Sequence, residues 1–127
     1  MKNYFLILFV LIGLLAGCGK VGDCKEEKYA SAVVSDFPDS LHKSAAYPLK
    51  VQYIIENSCG SFVGFEETKT GNTTDVRIKT IYDGCNCTLE FSQQESFYEI
   101  KQDSVGTYHY NFWLDETDFD SYTLTVH

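Results

Sequence analysis

The side chains with the most distinctive chemistry in this sequence are its cysteines. Four of the five lie in the body of the chain, and an even number of this kind predicts two disulfide bonds. Cys85 and Cys87 are two residues apart, so a bond between them would close a small, strained ring. We therefore expect each of them to pair with a distant partner, Cys24 or Cys59, and the spacing leaves both arrangements open.

Two other uses of these thiols are less well supported by the spacing. Cys-x-Cys could offer two thiolates to a metal, but the paired Cys-x2-Cys pattern of zinc sites is missing from the sequence. Thiol redox sites usually carry Cys-x-x-Cys at the start of a helix, and no helix is predicted here. We therefore predict no metal site at these cysteines and no cofactor.

The first seventeen residues have the character of an export signal. Lys2 supplies a positive charge, and residues 4–15 form an apolar run that is shorter than the roughly 20 residues needed to span a bilayer. The segment Leu15-Ala16-Gly17-Cys18 resembles the lipobox of bacterial lipoproteins, in which the cysteine receives a diacylglycerol and the leader is cut before it. An ordinary secretory leader with a cysteine near its cleavage site is the alternative.

This resemblance implies a division of the chain and a location for it. Residues 1–17 would be a lipoprotein signal peptide, residues 18–28 the lipidated Cys18 and a tether, and residues 29–127 a folded domain. Acyl chains such as palmitate would anchor the protein in the bacterial cell envelope, at the outer membrane. Export also favours oxidation of the other four cysteines.

The overall charge argues against one large class of partner. The chain has 127 residues with a formal net charge of −8, whereas a nucleic-acid-binding protein needs clustered cations to displace the counterions of the phosphates. The aromatic and hydrophobic content is too high for a disordered chain. We therefore expect one folded domain that binds no nucleic acid.

Carboxylates are concentrated in one segment ahead of the last predicted strand. This density of oxygen atoms suits Ca²⁺, although the order of residues in an EF-hand loop is missing. A solvated acidic turn is the alternative. The candidate calcium ligands are Asp115, Glu116, Asp118 and Asp120.

Trp113, the only tryptophan, is predicted to face away from the row of Tyr108, Tyr110 and Phe112 on the same strand. If that face meets solvent, Trp113 and His109 mark a surface for a protein or a glycan. If both faces of the strand are covered, Trp113 belongs to the core.

The patterns of residues that an enzyme needs do not occur. No Gly-x-Ser-x-Gly elbow is present, and the adjacent Glu66 and Glu67 would point to opposite faces of a strand. The three histidines are scattered along the chain. We therefore predict no catalytic residue and no enzymatic activity.

Strand-forming residues dominate the chain after the leader. Val51, Tyr53 and Ile55 alternate with polar neighbours, and the same alternation recurs along the rest of the chain. Turn-forming residues separate the runs, which predicts seven or eight short strands in two antiparallel sheets. The predicted strands are residues 29–35, 48–56, 61–68, 74–82, 87–92, 96–102, 106–114 and 120–126.

Two short motifs carry further resemblances. The segment from Asp103 through Gly106 to Tyr108 resembles the tyrosine corner of immunoglobulin-like sandwiches, in which the tyrosine hydroxyl bonds backbone across a loop. The cysteine expected two residues after that tyrosine is replaced by Tyr110. Asp39-Ser40-Leu41 resembles the Asp-Ser-aliphatic O-glycosylation site of some Gram-negative bacteria, which makes Ser40 a candidate acceptor.

Taken together, these features resemble a group of small bacterial lipoproteins of unknown function. The motifs are the lipobox, residues 57–62 (Asn-Ser-Cys-Gly-Ser-Phe), residues 82–88 (Tyr-Asp-Gly-Cys-Asn-Cys-Thr) and residues 106–108 (Gly-Thr-Tyr). The resemblance spans about residues 46–126 and implies an all-β, immunoglobulin-like antiparallel sandwich tethered to a membrane.

The function expected from these observations is binding or envelope structure. The faces or end loops of the sandwich would contact a protein, a glycan or a neighbouring copy. The alternative is an inhibitor or accessory protein for an exported enzyme, in which a protruding loop at residues 71–74 would enter the enzyme.

Overall fold

The computed structural model describes residues 24–127, so the predicted signal peptide, Cys18 and residues 19–23 lie outside the described residues. Within this range the chain is all β, and it contains no helix long and apolar enough to cross a membrane. The strands are β1 (Lys25–Ala30), β2 (Val33–Val34), β3 (Ser40–Leu41), β4 (Ala46–Asn57), β5 (Gly60–Thr70), β6 (Thr73–Asp83), β7 (Leu89–Lys101), β8 (Gly106–Trp113) and β9 (Phe119–Val126).

The strands form two sheets that pack as a sandwich. The small sheet has the order β2-β4-β7 and is antiparallel throughout. The large sheet has six strands and is centred on β6. One edge of β6 pairs with β5 along its length, whereas the other edge pairs with β8 over residues 73–76 and with β1 over residues 78–83. β9 then pairs with β8, and β3 pairs with β9.

The core forms where the alternating patterns of the two sheets meet. Every second residue of β6 is buried from Thr74 to Tyr82, and β4 buries residues 49, 51, 53 and 55 in the same way. Because successive side chains of a strand point to opposite faces, this alternation places one apolar face of each sheet in the interior. Phe112, Leu49 and Ile78 are among the largest side chains that are completely buried.

The structure corrects four predictions about the strands. The large sheet is mixed, because β3 pairs with β9 and β6 pairs with β8 in parallel. Residues 87–92 and 96–102, predicted as two strands, are parts of the single strand β7, because no glycine or proline interrupts the polar stretch between them. β1 begins at Lys25, inside the segment predicted as tether, because it pairs with β6. The predicted strand 29–35 divides between β1 in the large sheet and β2 in the small sheet, so that with the two-residue β3 the described residues form nine strands and not seven or eight.

Two disulfides close one end of the sandwich, as the cysteine spacing predicts. Cys24 bonds to Cys85 and Cys59 bonds to Cys87, so each member of the Cys-x-Cys pair has a distant partner. Gly84 lies beside the two disulfides with a φ of 146°. A Cβ at this position would lie 2.7 Å from the Sγ of Cys59. Glycine is therefore required here by both the backbone conformation and the space.

Tyrosines make up an unusual share of the packed interior. Tyr98 packs edge-on against Phe112 at a centroid distance of 5.8 Å and donates its hydroxyl hydrogen to Glu67. The Tyr110 hydroxyl accepts a hydrogen bond of 2.7 Å from Gln102. Tyr122 packs against Phe112 as well. Each of these tyrosines thus has a hydrogen-bond partner for its hydroxyl or a packing partner for its ring, as buried tyrosines require.

This arrangement predicts a loss of stability at high pH. Burial raises the pKa of Tyr98 and Tyr110, and burial together with the hydrogen bond to Asp120 raises the pKa of Tyr122 to about 12. An unfolded tyrosine ionises near pH 10, so the unfolded state loses its protons first. The contribution of these tyrosines to the free energy of unfolding should therefore be fully present below pH ~10 and should fall as the pH rises from ~10 towards ~12.

Urea denaturation followed by circular dichroism at a series of pH values measures this dependence. Tyr122→Phe removes one of the titrating phenols, so its stability should fall less steeply above pH ~10 than that of the wild type. A urea midpoint that stays constant through this range would contradict the prediction.

The disulfides yield a second prediction about stability. The two bonds close loops with sequence separations of 61 and 28 residues, and the loop-entropy relation gives about 4 kcal/mol of stabilisation for each. Replacing Cys24 and Cys85 together by serine should cost more than replacing Cys59 and Cys87, by about 0.7 kcal/mol, because its loop is longer. Urea unfolding of the two double variants checks the order, and the reverse order would contradict it.

Candidate binding groove

A concave groove lies where the edges of the two sheets meet. It has a volume of about 590 Å³ and runs alongside β1 on one side and β4 on the other. It exists because the short β2 pairs with β4 at only two residues, which leaves the following part of β4 without a neighbour on that edge. Tyr53 and Tyr82, both buried, form the floor of the groove.

The wall on the large sheet is built from two aromatic side chains. The rings of Tyr29 and Trp113 lie 5.8 Å apart in a tilted arrangement. The Tyr29 hydroxyl donates to both carboxylate oxygens of Glu66, at 2.9 and 3.0 Å, and the guanidinium of Arg77 lies 5.2 Å from the centre of the Tyr29 ring. These contacts hold Tyr29 in place, so little side-chain entropy is lost when a ligand packs against it.

The wall on the small sheet is apolar with amide groups beside it. Val33, Ile54 and Phe91 are all exposed, which is unusual for side chains of this size on a single face. Gln52 and Gln93 stand next to them in the cross-strand register. The groove therefore combines aromatic and aliphatic walls with a few hydrogen-bonding groups, the composition typical of ligand sites.

One end of the groove is crossed by an ion pair. The ammonium of Lys28 on β1 donates to the carboxylate of Glu56 on β4 at 3.4 Å, and this hydrogen bond raises the pKa of Lys28. Both side chains are exposed, so the pair adds at most about 1 kcal/mol to stability. Beneath it, the backbone N–H of Glu56 donates to the Tyr82 hydroxyl at 3.1 Å. At the other end, the Ser31 hydroxyl donates to the carbonyl of Leu114.

The structure separates the two residues predicted to share a binding surface. Trp113 is half-buried and lines the groove, whereas His109 is exposed and is not among the lining residues. The Nδ1 atom of His109 instead lies 3.3 Å from the hydroxyl of Thr123 on the neighbouring strand. The two residues share a face of β8 but not a site.

The four carboxylates predicted as calcium ligands are not brought together around one point. Asp115 accepts hydrogen bonds from the backbone of Thr117 and Asp118 and from the Thr117 hydroxyl, and these bonds lower the pKa of its carboxyl. Asp120 accepts from Tyr122, and Glu116 is exposed. Among residues 24–127, no group of three or more acidic, histidine or cysteine side chains is placed to hold a metal ion.

The other predicted residues are placed as follows. The Tyr108 hydroxyl donates to the carbonyl of Ser104 at 2.8 Å, the type of bond that a tyrosine corner makes, while Asp103 is exposed. Gly106 opens β8. Ser40 is exposed on β3, at the edge of the large sheet, and Cys18 lies outside the described residues.

Little of the groove is visible in the sequence pattern. The alternation predicts only that Tyr53 and Tyr82 lie in strands, and it leaves Lys28 and Tyr29 in or next to the tether. No pattern within a strand could show that β1 faces β4, because that approach depends on the order of strands across two sheets. The exposed Phe91 on a strand of polar residues was the available signal.

Comparison with known proteins assigns the domain to a family. No curated protein and no solved structure matches the chain significantly. The family model described as "ORF11 beta-sandwich domain" matches residues 49–126, from β4 to the end of β9. This range includes Trp113 and the residues that β4 and β7 contribute to the groove, and it excludes β1 and β2. The match covers more than half of the sequence and agrees with the observed sandwich, so the chain belongs to the ORF11 beta-sandwich domain family.

Proposed function

We propose that this protein is a lipid-anchored binding module of the bacterial cell envelope, whose ligand packs into the groove beside Trp113. The observation that carries the proposal is the groove itself, with one aromatic wall, one largely aliphatic wall, the amide side chains of Gln52 and Gln93 and a pre-positioned Tyr29. A ligand with an apolar face and polar edges suits this lining, and a sugar ring of an envelope glycan has that character. A domain of this kind would act by binding, without catalysis.

The anchoring part of the proposal rests on the lipobox-like segment ending at Cys18. Several acyl chains on one residue hold a protein at a membrane, since each buried methylene contributes roughly 0.8 kcal/mol. Cys24 follows Cys18 by six positions, so a fully extended segment between them reaches at most about 20 Å. Because Cys24 is bonded to Cys85, the disulfide end of the sandwich would stay close to the bilayer.

The alternative function, an inhibitor or accessory protein for an exported enzyme, gains no specific support. It would need a long loop that could enter another protein. The segment predicted for that role is instead a two-residue turn, because β5 ends at Thr70 and β6 begins at Thr73. Gly71 has a φ of 60° in this turn, as tight hairpins require.

Lipid attachment is tested by metabolic labelling. The full chain expressed in a Gram-negative bacterium should incorporate labelled palmitate and fractionate with the outer membrane. Cys18→Ser should lose both the label and the membrane association, because no other acceptor is proposed. Label that persists in Cys18→Ser would overturn the assignment.

Ligand binding is tested through the fluorescence of Trp113, the only tryptophan in the chain. Titration of the full chain with oligosaccharides released from the bacterial envelope should change its emission saturably. Tyr29→Ala should weaken binding roughly tenfold or more, because a fixed aromatic wall is lost. Val33→Ala should weaken it by roughly threefold, on the basis of the apolar area that is lost.

A matched control is available on the other sheet. Val63 is exposed to nearly the same extent as Val33, at 50% against 54%, but it does not line the groove. Val63→Ala should therefore leave the affinity unchanged. Equal effects of Val33→Ala and Val63→Ala would show that the ligand binds elsewhere.

A further inference from the structure

β7 presents a long, unpaired edge. It has 13 residues and forms the edge of the small sheet, with β4 as its only partner strand among residues 24–127. Two phenylalanines on its outer face, Phe91 and Phe97, are 68% and 64% exposed. Free edges of this length are usually protected by lysine, proline or a short strand, because their backbone groups can pair with another chain. β7 contains no proline, and its only lysine, Lys101, is its last residue.

The sequence of this edge reads almost the same in both directions. Residues 91–97 are Phe-Ser-Gln-Gln-Glu-Ser-Phe, a near-palindrome centred on Gln94. In an antiparallel pair formed by two copies around a two-fold axis at Gln94, Phe91 of each copy would face Phe97 of the other. Ser92 would face Ser96, and Gln93 would face Glu95. A two-fold interface between identical chains needs this self-complementarity, whereas an interface with a different protein does not.

The side chains in this arrangement are compatible with one another. Aromatic pairs directly across two strands stabilise a sheet, and the register forms two Phe91–Phe97 pairs. Gln93 can donate its amide hydrogens to Glu95, so the carboxylate faces a donor and no like charge lies opposite another. The inner side of β7 buries Tyr98 and Ile100 but leaves Gln94 exposed, so the centre of the strand is not covered by the large sheet.

Neighbouring registers are less favourable, which makes this one specific. Moving the two-fold axis to Glu95 would place Glu95 opposite its own copy and would set Phe97 against Gln93. Moving it to Gln93 would set Phe91 against Glu95. A slip by one residue would turn the apolar face to the wrong side, because strands alternate with a period of two.

We propose that β7 is a self-association edge, through which two copies of this chain join their small sheets into one continuous antiparallel sheet. The occupant of the edge is a second copy, and the pairing is centred on Gln94. Phe91 also lines the groove, so Phe97 of the second copy would extend its small-sheet wall. The inference stands on β7 alone and does not depend on which ligand the groove binds.

Disulfide trapping in cells tests the register. With the full chain expressed in a bacterial envelope, Gln94→Cys should give a covalent dimer on a non-reducing gel, because the two copies of residue 94 would lie opposite each other. Ser92→Cys is the matched control on the same strand. Its two copies would lie four residues apart along the strands, about 13 Å, and should not cross-link. Ser92→Cys combined with Ser96→Cys should cross-link again.

Sedimentation equilibrium of the full chain in density-matched detergent measures the dissociation constant of the dimer and tests the effect of charge on it. Gln93→Glu would place like charges opposite each other twice in the dimer, so its dissociation constant should rise roughly fivefold or more. Gln93→Lys would place a lysine opposite Glu95 and should lower the dissociation constant. Thr68→Glu and Thr68→Lys, at an exposed position of β5 in the other sheet, control for net charge and should not differ in this way.

Each outcome decides the proposal. Cross-linking at Gln94 but not at Ser92, with opposite effects of the two Gln93 variants, supports it. A monomeric chain, a mixture of larger assemblies, or equal cross-linking at both positions overturns it. Glycan binding by a monomeric variant would leave the groove proposal standing, while loss of binding with an intact dimer would overturn only the groove.

Discussion

The architecture depends on the way that two strands share one edge of β6. β8 pairs with the first residues of β6 and β1 pairs with the last, so the two strands lie end to end along the same edge. Where they meet, the chain leaves the large sheet after Ala30, and the backbone N–H of Ala32 donates to the carbonyl of Trp113 at 3.0 Å. This junction brings Tyr29 next to Trp113 and opens the groove, so the candidate site is a direct consequence of the shared edge.

The disulfides make this sharing possible. β1 is short, and five of its six residues are exposed, so apolar burial contributes little to its docking. A strand of this kind, paired along one edge and otherwise held by exposed side-chain contacts, is expected to fray. The bond from Cys24 to Cys85 fixes the start of β1 to the loop after β6, and the bond from Cys59 to Cys87 fixes the same loop to the β4–β5 turn. The oxidised cysteines therefore hold the wall that carries Tyr29.

The sequence predicts those parts of the structure for which the residue pattern within a single strand is sufficient evidence. Alternation identified β4, β6, β8 and β9, and the buried residues of β4 and β6 follow it. The polar segment Lys25–Ala30 has no such alternation, so β1 could not be recognised before its pairing with β6 was known. The parallel pairs and the groove were also out of reach, because they arise from contacts between segments far apart in the sequence. Trp113 was recognised as unusual, while its partner Tyr29 was not.

The two proposals constrain each other through the position of the tether. In the two-fold pair centred on Gln94, Leu89 of one copy lies opposite Glu99 of the other, so the disulfide ends of the two domains point in opposite directions. Equivalent points would be separated by about 33 Å along the strands, whereas the segment from Cys18 to Cys24 reaches only about 20 Å. Two lipid anchors in one bilayer can be satisfied only if the strands lie along the membrane surface, with the two-fold axis perpendicular to it.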